Sequence, residues 1–268
     1  MTDLKELVVL IRGAGEMATG VAHRLAQAHF KVCLTDIAYP QAVRREVSFC
    51  EAVYDHEKSV EGVTAVRISD PAEISGTWAS GRVPLLVDPQ CRVRNVLQPD
   101  VLVDAILAKR NLGTTQDWAP LVIGLGPGFR AGDDVHMVVE TNRGHDLGRL
   151  FLQGEAEPNT GVPGNVGGFA EERVLRAPQE GVFRYDSRRI GDLGEFEDVV
   201  AFVGEAPVKA PIRGVLRGLI RESIAVTRGM KVGDVDPRAK REHCFTISDK
   251  ARAIAGGVLE GIMLFYNR

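Results

Sequence analysis

Two glycine-rich segments of this chain hold backbone and side-chain groups that could bind an anionic ligand. The first, Gly13–Gly20, follows the apolar run Leu7–Arg12, and the second begins at Gly124 after Pro120–Ile123. Glycine tolerates a positive φ, so a glycine-rich loop at the end of a strand can direct several N–H groups at one anion. The same composition is typical of tight turns, and these residues alone leave both interpretations open.

The first segment matches the dinucleotide-binding fingerprint, with alanine at its third small position. Gly13 would form the tight turn, Gly15 would let a pyrophosphate approach, and Ala18 would let helix and strand pack together. The phosphate would lie at the amino end of the helix that continues over Val21–Ala28. Asp36, at the end of the next predicted strand, is placed to accept a hydrogen bond from a ribose hydroxyl.

Ala14, Glu16 and Met17 complete the cofactor-binding residues predicted in this segment. Glu16 argues in the other direction, because its negative charge would lie where a phosphate should bind. The alternative is that the glycines serve only the packing of helix on strand.

The second segment combines its glycines with polar side chains that could recognise an anion. The residues expected to bind the ligand here are Gly126, Gly128, Arg130, His136, Arg143 and His145. Alternation predicts a strand over Asp134–Thr141 with one partly polar face. Glu140 on that strand, and Asp88 after the strand Pro84–Val87, are the candidate catalytic acids or bases. Asp88 before a proline is equally typical of a turn.

These groups need a scaffold, and the alternation of strands and helices in the first half of the chain predicts one. Repeated βα units imply a mostly parallel, doubly wound α/β sheet of the Rossmann type, in which ligands bind beyond the carboxyl ends of the strands. A helix is expected over Asp104–Lys109. The further predicted strands are Lys31–Thr35, Ala52–Tyr54, Thr64–Ile68, Val101–Val103 and Leu121–Ile123.

Composition restricts the classes of partner. With 44% hydrophobic and 26% charged residues, a net charge of −3 and a pI near 6.1, the chain is unlike a nucleic-acid or anionic-membrane binder. We expect a cytoplasmic protein, because neither a signal peptide nor a membrane span is recognisable. The four cysteines lack metal-ligand spacing, so reduced thiols and no metal site are expected.

The second half reads as mostly β. Gly181–Phe183 recurs as Gly214–Leu216, and with the Ala-Pro-x-x-Gly pattern at residues 210–214 this resembles the barrel-sandwich hybrid of biotinyl and lipoyl carriers. Those carriers present a lysine where this chain has Val203, so we expect a structural or docking domain. Ser248 would cap a helix over Asp249–Leu264 whose glycines indicate close packing, either on the Rossmann domain or in a homo-oligomer.

The chain is accordingly divided into four consecutive segments. These are a Rossmann-like nucleotide-binding domain at 1–127, a β segment with glycine-rich loops at 128–178, a biotinyl/lipoyl-like β domain without the carrier lysine at 179–245, and a carboxy-terminal helix at 246–268.

The sequence resembles the YqeB-like family, accessory proteins of selenium-dependent molybdenum hydroxylases that share a theme with XdhC-type maturation factors. The segments that carry the resemblance are Gly13–Gly20, Leu86–Pro89, Leu102–Asn111, Gly126–Phe129, Glu140–His145 and Gly229–Arg238. The resemblance implies a role in maturing a molybdenum cofactor, with molybdopterin dinucleotide as a candidate ligand. It also implies hydroxylase subunits or other maturation proteins as partners.

Two other functions remain open at this point. Asp36 is compatible with NAD, which makes an NAD-dependent oxidoreductase the first alternative, although no convincing Tyr-x-x-x-Lys motif or paired His/Asp constellation for hydride transfer is found. The second alternative is a non-catalytic assembly scaffold. The sequence therefore does not decide whether the protein is an enzyme.

Overall fold

The computed structural model describes residues 4–267, and they form two compact units. Unit 1 comprises the described residues of Met1–Pro40, Ser48–Thr160 and Ile247–Arg268, whereas unit 2 comprises Gln41–Val47 and Gly161–Thr246. The chain therefore passes between the units several times, and the division into four consecutive segments stays a prediction. Residues 1–3 and 268, at the ends of the first and last of those segments, lie outside the described residues.

Unit 1 is built on one large sheet. Its strands are β1 (Val8–Arg12), β2 (Lys31–Asp36), β3 (Glu57–Val60), β4 (Val63–Ile68), β5 (Val83–Val87), β6 (Val101–Asp104), β7 (Leu121–Leu125), β8 (Arg130–Ala131), β9 (Met137–Val139), β10 (Leu150–Phe151) and β11 (Gly154–Glu155). Nine of them form the sheet, in the order β10-β9-β7-β6-β1-β2-β5-β4-β3, and β8 pairs separately with β11. The outer strands β3 and β10 run antiparallel to their neighbours.

Seven neighbouring strands are parallel, in the order β4-β5-β2-β1-β6-β7-β9. β4 extends the six strands from β5 to β9 at one side. Numbered by their place in the chain, they give the classic 3-2-1-4-5-6 order of the Rossmann fold. The order reverses between β1 and β6, so the loops that follow these two strands border the crevice where such folds bind ligands.

Helices cover both faces of this sheet. They are α1 (Glu16–Gln27), α2 (Ala52–Asp55), α3 (Ile74–Ala79), α4 (Arg94–Leu97) and α5 (Asp249–Tyr266). The predicted cap of α5 is confirmed, because the Ser248 hydroxyl accepts a hydrogen bond from the Ala251 N–H. Gly20 of α1 meets Ala251 so closely that a Cβ on the glycine would lie 2.8 Å from the alanine Cβ. Within residues 4–267, no helix is long and apolar enough to cross a membrane.

Local expectations were wrong at three places in unit 1. Ala52–Tyr54, expected as a strand, lies in α2. The expected helix Asp104–Lys109 is a loop, because the Asp104 carboxylate accepts a hydrogen bond from the Ile106 N–H and both Leu107 and Lys109 have a positive φ. The expected strand Asp134–Thr141 is regular only over β9, since Asp134 instead binds back to the Arg130 N–H.

Unit 2 is a sandwich of two antiparallel four-stranded sheets. Its strands are β12 (Val174–Arg176), β13 (Gly181–Tyr185), β14 (Leu193–Gly194), β15 (Val199–Val203), β16 (Ala206–Lys209), β17 (Gly214–Leu219), β18 (Ala225–Val226) and β19 (Lys231–Asp236). The orders are β12-β19-β17-β14 and β16-β15-β13-β18. Residues 161–246, all of which are described, form no closed barrel.

The repeat recognised in the sequence corresponds to one strand in each sheet of the sandwich. The repeated segments form β13 and the start of β17, and Phe183 and Leu216 both enter the shared core. Val203 is completely buried at the end of β15, immediately before the turn to β16. The position at which carrier modules expose a lysine is therefore occupied here by an apolar core residue.

The predicted fold class is confirmed: a mixed α/β protein with a large, mostly parallel sheet, additional antiparallel sheets and a carboxy-terminal helix.

Candidate functional site

The glycine loop after β1 lies beside the reversal point of the sheet. Gly13 has a φ of +104°, and a Cβ built on it would lie 3.1 Å from the carbonyl of Ala105 in the loop after β6. Gly15 is the N-cap residue of α1, and it differs from Gly13 because no atom lies within 4 Å of a Cβ built on it. Gly13 thus serves the packing of two loops, while Gly15 leaves room beside the amino end of α1.

Asp36 supports the glycine loop from the end of β2. One carboxylate oxygen accepts a 2.8 Å hydrogen bond from the Ala14 N–H, and the other accepts a 2.7 Å bond from the Ile37 N–H. Burial raises the pKa of Asp36, and the two N–H groups oppose that rise. Since an ionised carboxylate has about four acceptor positions, Asp36 retains capacity for a ribose hydroxyl.

Glu16 and Met17 open α1 with different roles. Glu16 accepts a 2.7 Å hydrogen bond from the Ser248 hydroxyl, which connects the first turn of α1 to the cap of α5. Met17 is buried and contributes to the core. The negative charge of Glu16 is therefore directed at the start of α5.

The two candidate acids or bases hold backbone turns. Asp88 follows β5 and accepts a 2.8 Å hydrogen bond from the Val93 N–H. Glu140 follows β9, is completely buried and accepts 2.7 Å hydrogen bonds from the N–H groups of Thr141, Asn142 and Glu157. These contacts make Glu140 a loop-organising carboxylate.

The glycines of the second segment also mediate contacts between loops. Gly126 and Gly128 both have a positive φ. A Cβ on Gly126 would collide with the Thr141 side chain, and one on Gly128 would lie 2.5 Å from the Arg110 Cα. The loops after β6, β7 and β9 are therefore packed against one another at the carboxyl edge of the sheet.

Arg143 and His145 follow β9 at that same edge. Arg143 makes a bidentate ion pair with Asp249 in the first turn of α5, with distances of 2.6 and 2.8 Å. His145 is exposed.

Arg130 and His136 lie elsewhere. The His136 Nδ1 accepts a 3.0 Å hydrogen bond from the Val122 N–H at the amino end of β7, which is the edge of the sheet opposite Gly13. Burial lowers the pKa of His136. Arg130 is exposed and pairs with Asp133 and Glu155. The predicted residues that the structure gathers at the carboxyl edge are Gly13, Ala14, Gly15, Glu16, Asp36, Asp88, Gly126, Gly128, Glu140, Arg143 and His145.

One buried ion pair at this edge was not predicted. The Arg12 guanidinium lies 3.2 Å from the Asp104 carboxylate and donates a 2.9 Å hydrogen bond to Thr114. Arg12 and Arg94 both lie over the Trp118 ring, at 5.3 and 4.0 Å from its centroid. A charged residue at the end of an apolar strand is the only sequence signal for this pair, and its partner cannot be read from spacing.

Lys109 and Lys250 were also missed as a pair. Lys109 lies in the loop after β6 and Lys250 in the first turn of α5. Lys250 interacts electrostatically with Lys109, with Arg143 and with the carboxylates of Glu16 and Glu140. The separation of 141 positions along the chain hides this arrangement from motif analysis.

Unit 2 contains a separate charged network around two neighbouring residues of β19. Asp234 and Asp236 are at most 1% exposed. The cationic residues that donate to their carboxylates are Arg173, Arg217, Lys231 and Arg238. Both aspartates therefore occupy buried strand positions.

Comparisons with known proteins were made for the whole chain. No protein-family model matches it. It is 49% identical over 261 residues to the "Uncharacterized protein YqeB" of Escherichia coli strain K12, a match that covers 97% of this chain and 48% of that protein. The chain thus spans about half the length of the curated relative that it matches.

Two solved structures were also matched, the product-bound and apo forms of the ectoine utilization protein EutE (DoeB) from Ruegeria pomeroyi. Each is 10% identical to this chain and covers 86% of it, and 85% and 86% of the respective solved chains are covered. The TM-scores are 0.27 and 0.26, which are too low to support an argument about fold or function.

Proposed function

This chain is a homologue of YqeB over about half of that protein's length, and we propose that unit 1 binds a nucleotide-bearing anion at the carboxyl edge of its sheet. The observation that carries the proposal is the open space beside Gly15. It lies at the amino end of a 12-residue helix, next to the point where the strand order reverses. A helix amino terminus at that point favours a phosphate through its unpaired N–H groups and its dipole.

The surrounding residues fit a dinucleotide in part. Asp36 retains acceptor capacity for a ribose hydroxyl, and the exposed apolar side chains of Ile37 and Tyr39 follow it directly. The Ala14 N–H is already bonded to Asp36, so the phosphate contacts would fall to the N–H groups after Gly15. Glu16 is held by Ser248, which directs its charge toward α5.

The biological role that we propose is an accessory function in the maturation of selenium-dependent molybdenum hydroxylases. It rests on the resemblance to YqeB-like proteins, and molybdopterin dinucleotide is the ligand it suggests. A nucleotide and two phosphates on one ligand would match the crevice of unit 1. The hydroxylase subunits or other maturation proteins would be the partners.

Gly15→Ala tests the binding site. Its φ of −69° suits alanine, and the new methyl group would meet no protein atom, so the fold should be unaffected. The methyl group would occupy the space that a phosphate needs. We expect at least about tenfold weaker binding of molybdopterin cytosine dinucleotide, CTP or NAD in calorimetric titrations, whichever the wild-type protein binds.

Gly76→Ala is the matched control, because a Cβ at Gly76 in α3 also meets no other atom. Equal affinity of Gly15→Ala and wild type would contradict the assigned site. Tight NAD binding with turnover of an alcohol or aldehyde would replace the maturation role by the oxidoreductase alternative. Absence of binding to all three ligands would favour the scaffold.

A further inference from the structure

The side chain of Arg94, the first residue of α4, is held in place by one aromatic ring and two carbonyl groups. Its guanidinium carbon lies 4.0 Å from the centroid of the Trp118 ring. The Nη1 group donates hydrogen bonds to the carbonyl oxygens of Cys91 and Gln90, at 2.9 and 3.3 Å. The ring fixes the plane of the guanidinium, and the two acceptors on one nitrogen fix its rotation.

The other two nitrogens of this guanidinium have no acceptor. Within residues 4–267, no group accepts a hydrogen bond from Nε or Nη2 of Arg94, and no carboxylate forms an ion pair with it. One N–H on each of these nitrogens points in the same direction, and such a pair matches two oxygens of a carboxylate or phosphate. The donors left over by the protein are therefore those that bind an oxyanion in a bidentate manner.

The paired charges around Trp118 are unequal in number. Arg12 also lies over this ring, at 5.3 Å from its centroid, and Asp104 compensates its charge at 3.2 Å. The Nε of Arg12 is buried and, like that of Arg94, has no acceptor among the described residues. The cluster of Arg12, Arg94, Asp104 and Trp118 thus contains two guanidinium groups and one carboxylate, and an oxyanion bound to Arg94 would supply the second negative charge.

The loop between β5 and α4 is fixed to neighbouring strands. The Asp88 carboxylate accepts a hydrogen bond from the Val93 N–H, and the Asp88 N–H donates to the Asp36 carbonyl oxygen at 3.0 Å. The Nη2 of Arg12 donates to the Pro89 carbonyl oxygen at 3.4 Å. Because this loop is ordered without a ligand, binding would cost little conformational entropy.

The cluster lies on the face of the sheet opposite α1. Val122 of β7 belongs to the hydrophobic core that Trp118 packs against, whereas the next residue, Ile123, meets Gly261 of α5 on the other face. Helix α1 packs on α5 and so lies on that second face. The cluster is therefore separate from the open space beside Gly15.

We propose that Arg94, stacked on Trp118, binds one carboxylate or phosphate group of a small-molecule ligand through Nε and Nη2. This site goes beyond the proposed function, because it requires neither a nucleotide nor Gly15. Both kinds of group present two oxygens that share a negative charge, so two probes are needed to distinguish them.

Calorimetric titration of the full chain with inorganic phosphate and with malonate tests the site. Arg94→Met removes the charge and both donors while it keeps an unbranched side chain over Trp118. It should weaken binding of the probe that the wild type binds at least about tenfold. Arg94→Lys keeps the charge without the paired donors, and it should bind at least about threefold more weakly than the wild type.

Arg92→Met is the matched control. Arg92 is exposed in the same loop, and its side chain makes no hydrogen bond or ion pair among the described residues. Its removal lowers the charge of the loop as much as Arg94→Met does, yet it should change the affinity less than about twofold.

The fluorescence of Trp118 gives a second readout. An anion bound to a guanidinium 4.0 Å from the ring should change the tryptophan emission. The change should disappear in Arg94→Met and in Trp118→Phe, which leaves Trp78 as the only tryptophan of the chain.

The outcomes separate this site from the proposed function. Phosphate or malonate binding that depends on Arg94 supports the site and shows which oxyanion it takes. Binding of neither probe by the wild type, or equal losses in Arg92→Met and Arg94→Met, overturns it. Gly15→Ala should keep the wild-type affinity for the probe, and a loss as large as that of Arg94→Met would place the anion at α1 instead. Nucleotide binding is titrated separately, so its failure would overturn the proposed function and not this site.

Discussion

Each unit of this protein gathers charged side chains, but the two groups are satisfied to different degrees. In unit 2, all four carboxylate oxygens of Asp234 and Asp236 accept hydrogen bonds from cationic side chains. In unit 1, Lys109 and Lys250 influence each other electrostatically and form no ion pair among the described residues. The first arrangement pairs every carboxylate oxygen, whereas the second leaves two like charges without a salt bridge among the described residues.

The two groups of charges should affect the free energy of unfolding differently. A buried network in which every oxygen accepts a hydrogen bond fixes the geometry of the strands that carry it. Removing one member leaves a buried charge unpaired and lowers the free energy of unfolding strongly. A group of cations without partners costs stability in the free protein and gains it back when an anion binds. Substitutions in the two groups should therefore change stability in opposite directions.

Asp234→Ala should have the largest effect. It would leave the buried guanidinium groups of Arg173 and Arg217 without their main partner, and breaking a buried pair in this way costs about 3–5 kcal/mol. Urea unfolding followed by far-UV circular dichroism would measure the loss. Glu195→Ala, which breaks the exposed pair with Arg213, is the control and should change stability little. Equal effects of the two variants would show that burial of the network contributes nothing.

Asp236→Asn adds a pH dependence to the same network. Burial alone would raise the pKa of Asp236, but the hydrogen bonds from Arg238 and the charge of Arg217 outweigh it and lower the pKa to about 2. A lowered pKa stabilises the fold at pH values above that of the unfolded carboxyl, near 3.8, and this contribution disappears as the pH falls toward 2.

At neutral pH we therefore expect Asp236→Asn to lose about 1.5–3 kcal/mol, the range for hydrogen bonds to charged groups. The difference from wild type should shrink steadily below pH 4 in urea unfolding at a series of pH values. A difference that is independent of pH would mean that the network acts through packing and not through charge.

Gly13→Ala tests how tightly the loops after β1 and β6 are packed against each other in unit 1. The variant combines a positive φ with a Cβ only 3.1 Å from the Ala105 carbonyl, and we expect a loss of about 1–3 kcal/mol. Trp78 and Trp118 both lie in unit 1, so tryptophan fluorescence during unfolding would report this loss. Gly62→Ala shares the positive φ without a close neighbour, and it should lose less.

Lys250→Met should have the smallest effect, with the opposite sign. Because the pKa of Lys250 is lowered in the folded protein, folding costs free energy while the side chain is charged. Removing the charge should raise the unfolding free energy at pH 7 by less than about 1 kcal/mol.

The gain should shrink as the pH rises through the lowered pKa, because the wild-type lysine then becomes neutral. Lys31→Met, which loses an exposed pair with Glu6, should show no such gain. Destabilisation by Lys250→Met at pH 7 would contradict the contrast between the two groups of charges.

Much of the architecture could be predicted from local patterns. The glycine fingerprint before α1, the cap at Ser248 and the repeat that forms β13 and β17 were all recognisable, because each depends on residues close together in the chain. Secondary structure was mispredicted where one side chain redirects the backbone, as Asp104 does after β6. The sequence of unit 2 resembles a barrel-sandwich hybrid, but it did not show that the strands form two open sheets and no closed barrel.

The candidate site was predicted less completely. Its glycines and Asp36 belong to one local motif, and the structure places them together. Arg130 and His136 were grouped with them by sequence proximity, yet a β-strand of five residues spans about 17 Å and separates the two edges of the sheet. Glu140 has the right chemistry for an acid or base, but it is completely buried, and one of its three N–H donors, Glu157, lies 17 positions away in another loop.

The sequence by itself determined most of the parallel strands of unit 1, the helix α1, the sharp turn at Gly13 and the capped start of α5, because hydrophobic period and glycine conformation act over a few residues. Only the tertiary structure decided that Lys109 comes within electrostatic reach of Lys250 and that Asp234 and Asp236 are enclosed by arginines. Charge interactions depend on distance and burial, and both are set by strand order and packing between segments that lie far apart in the chain.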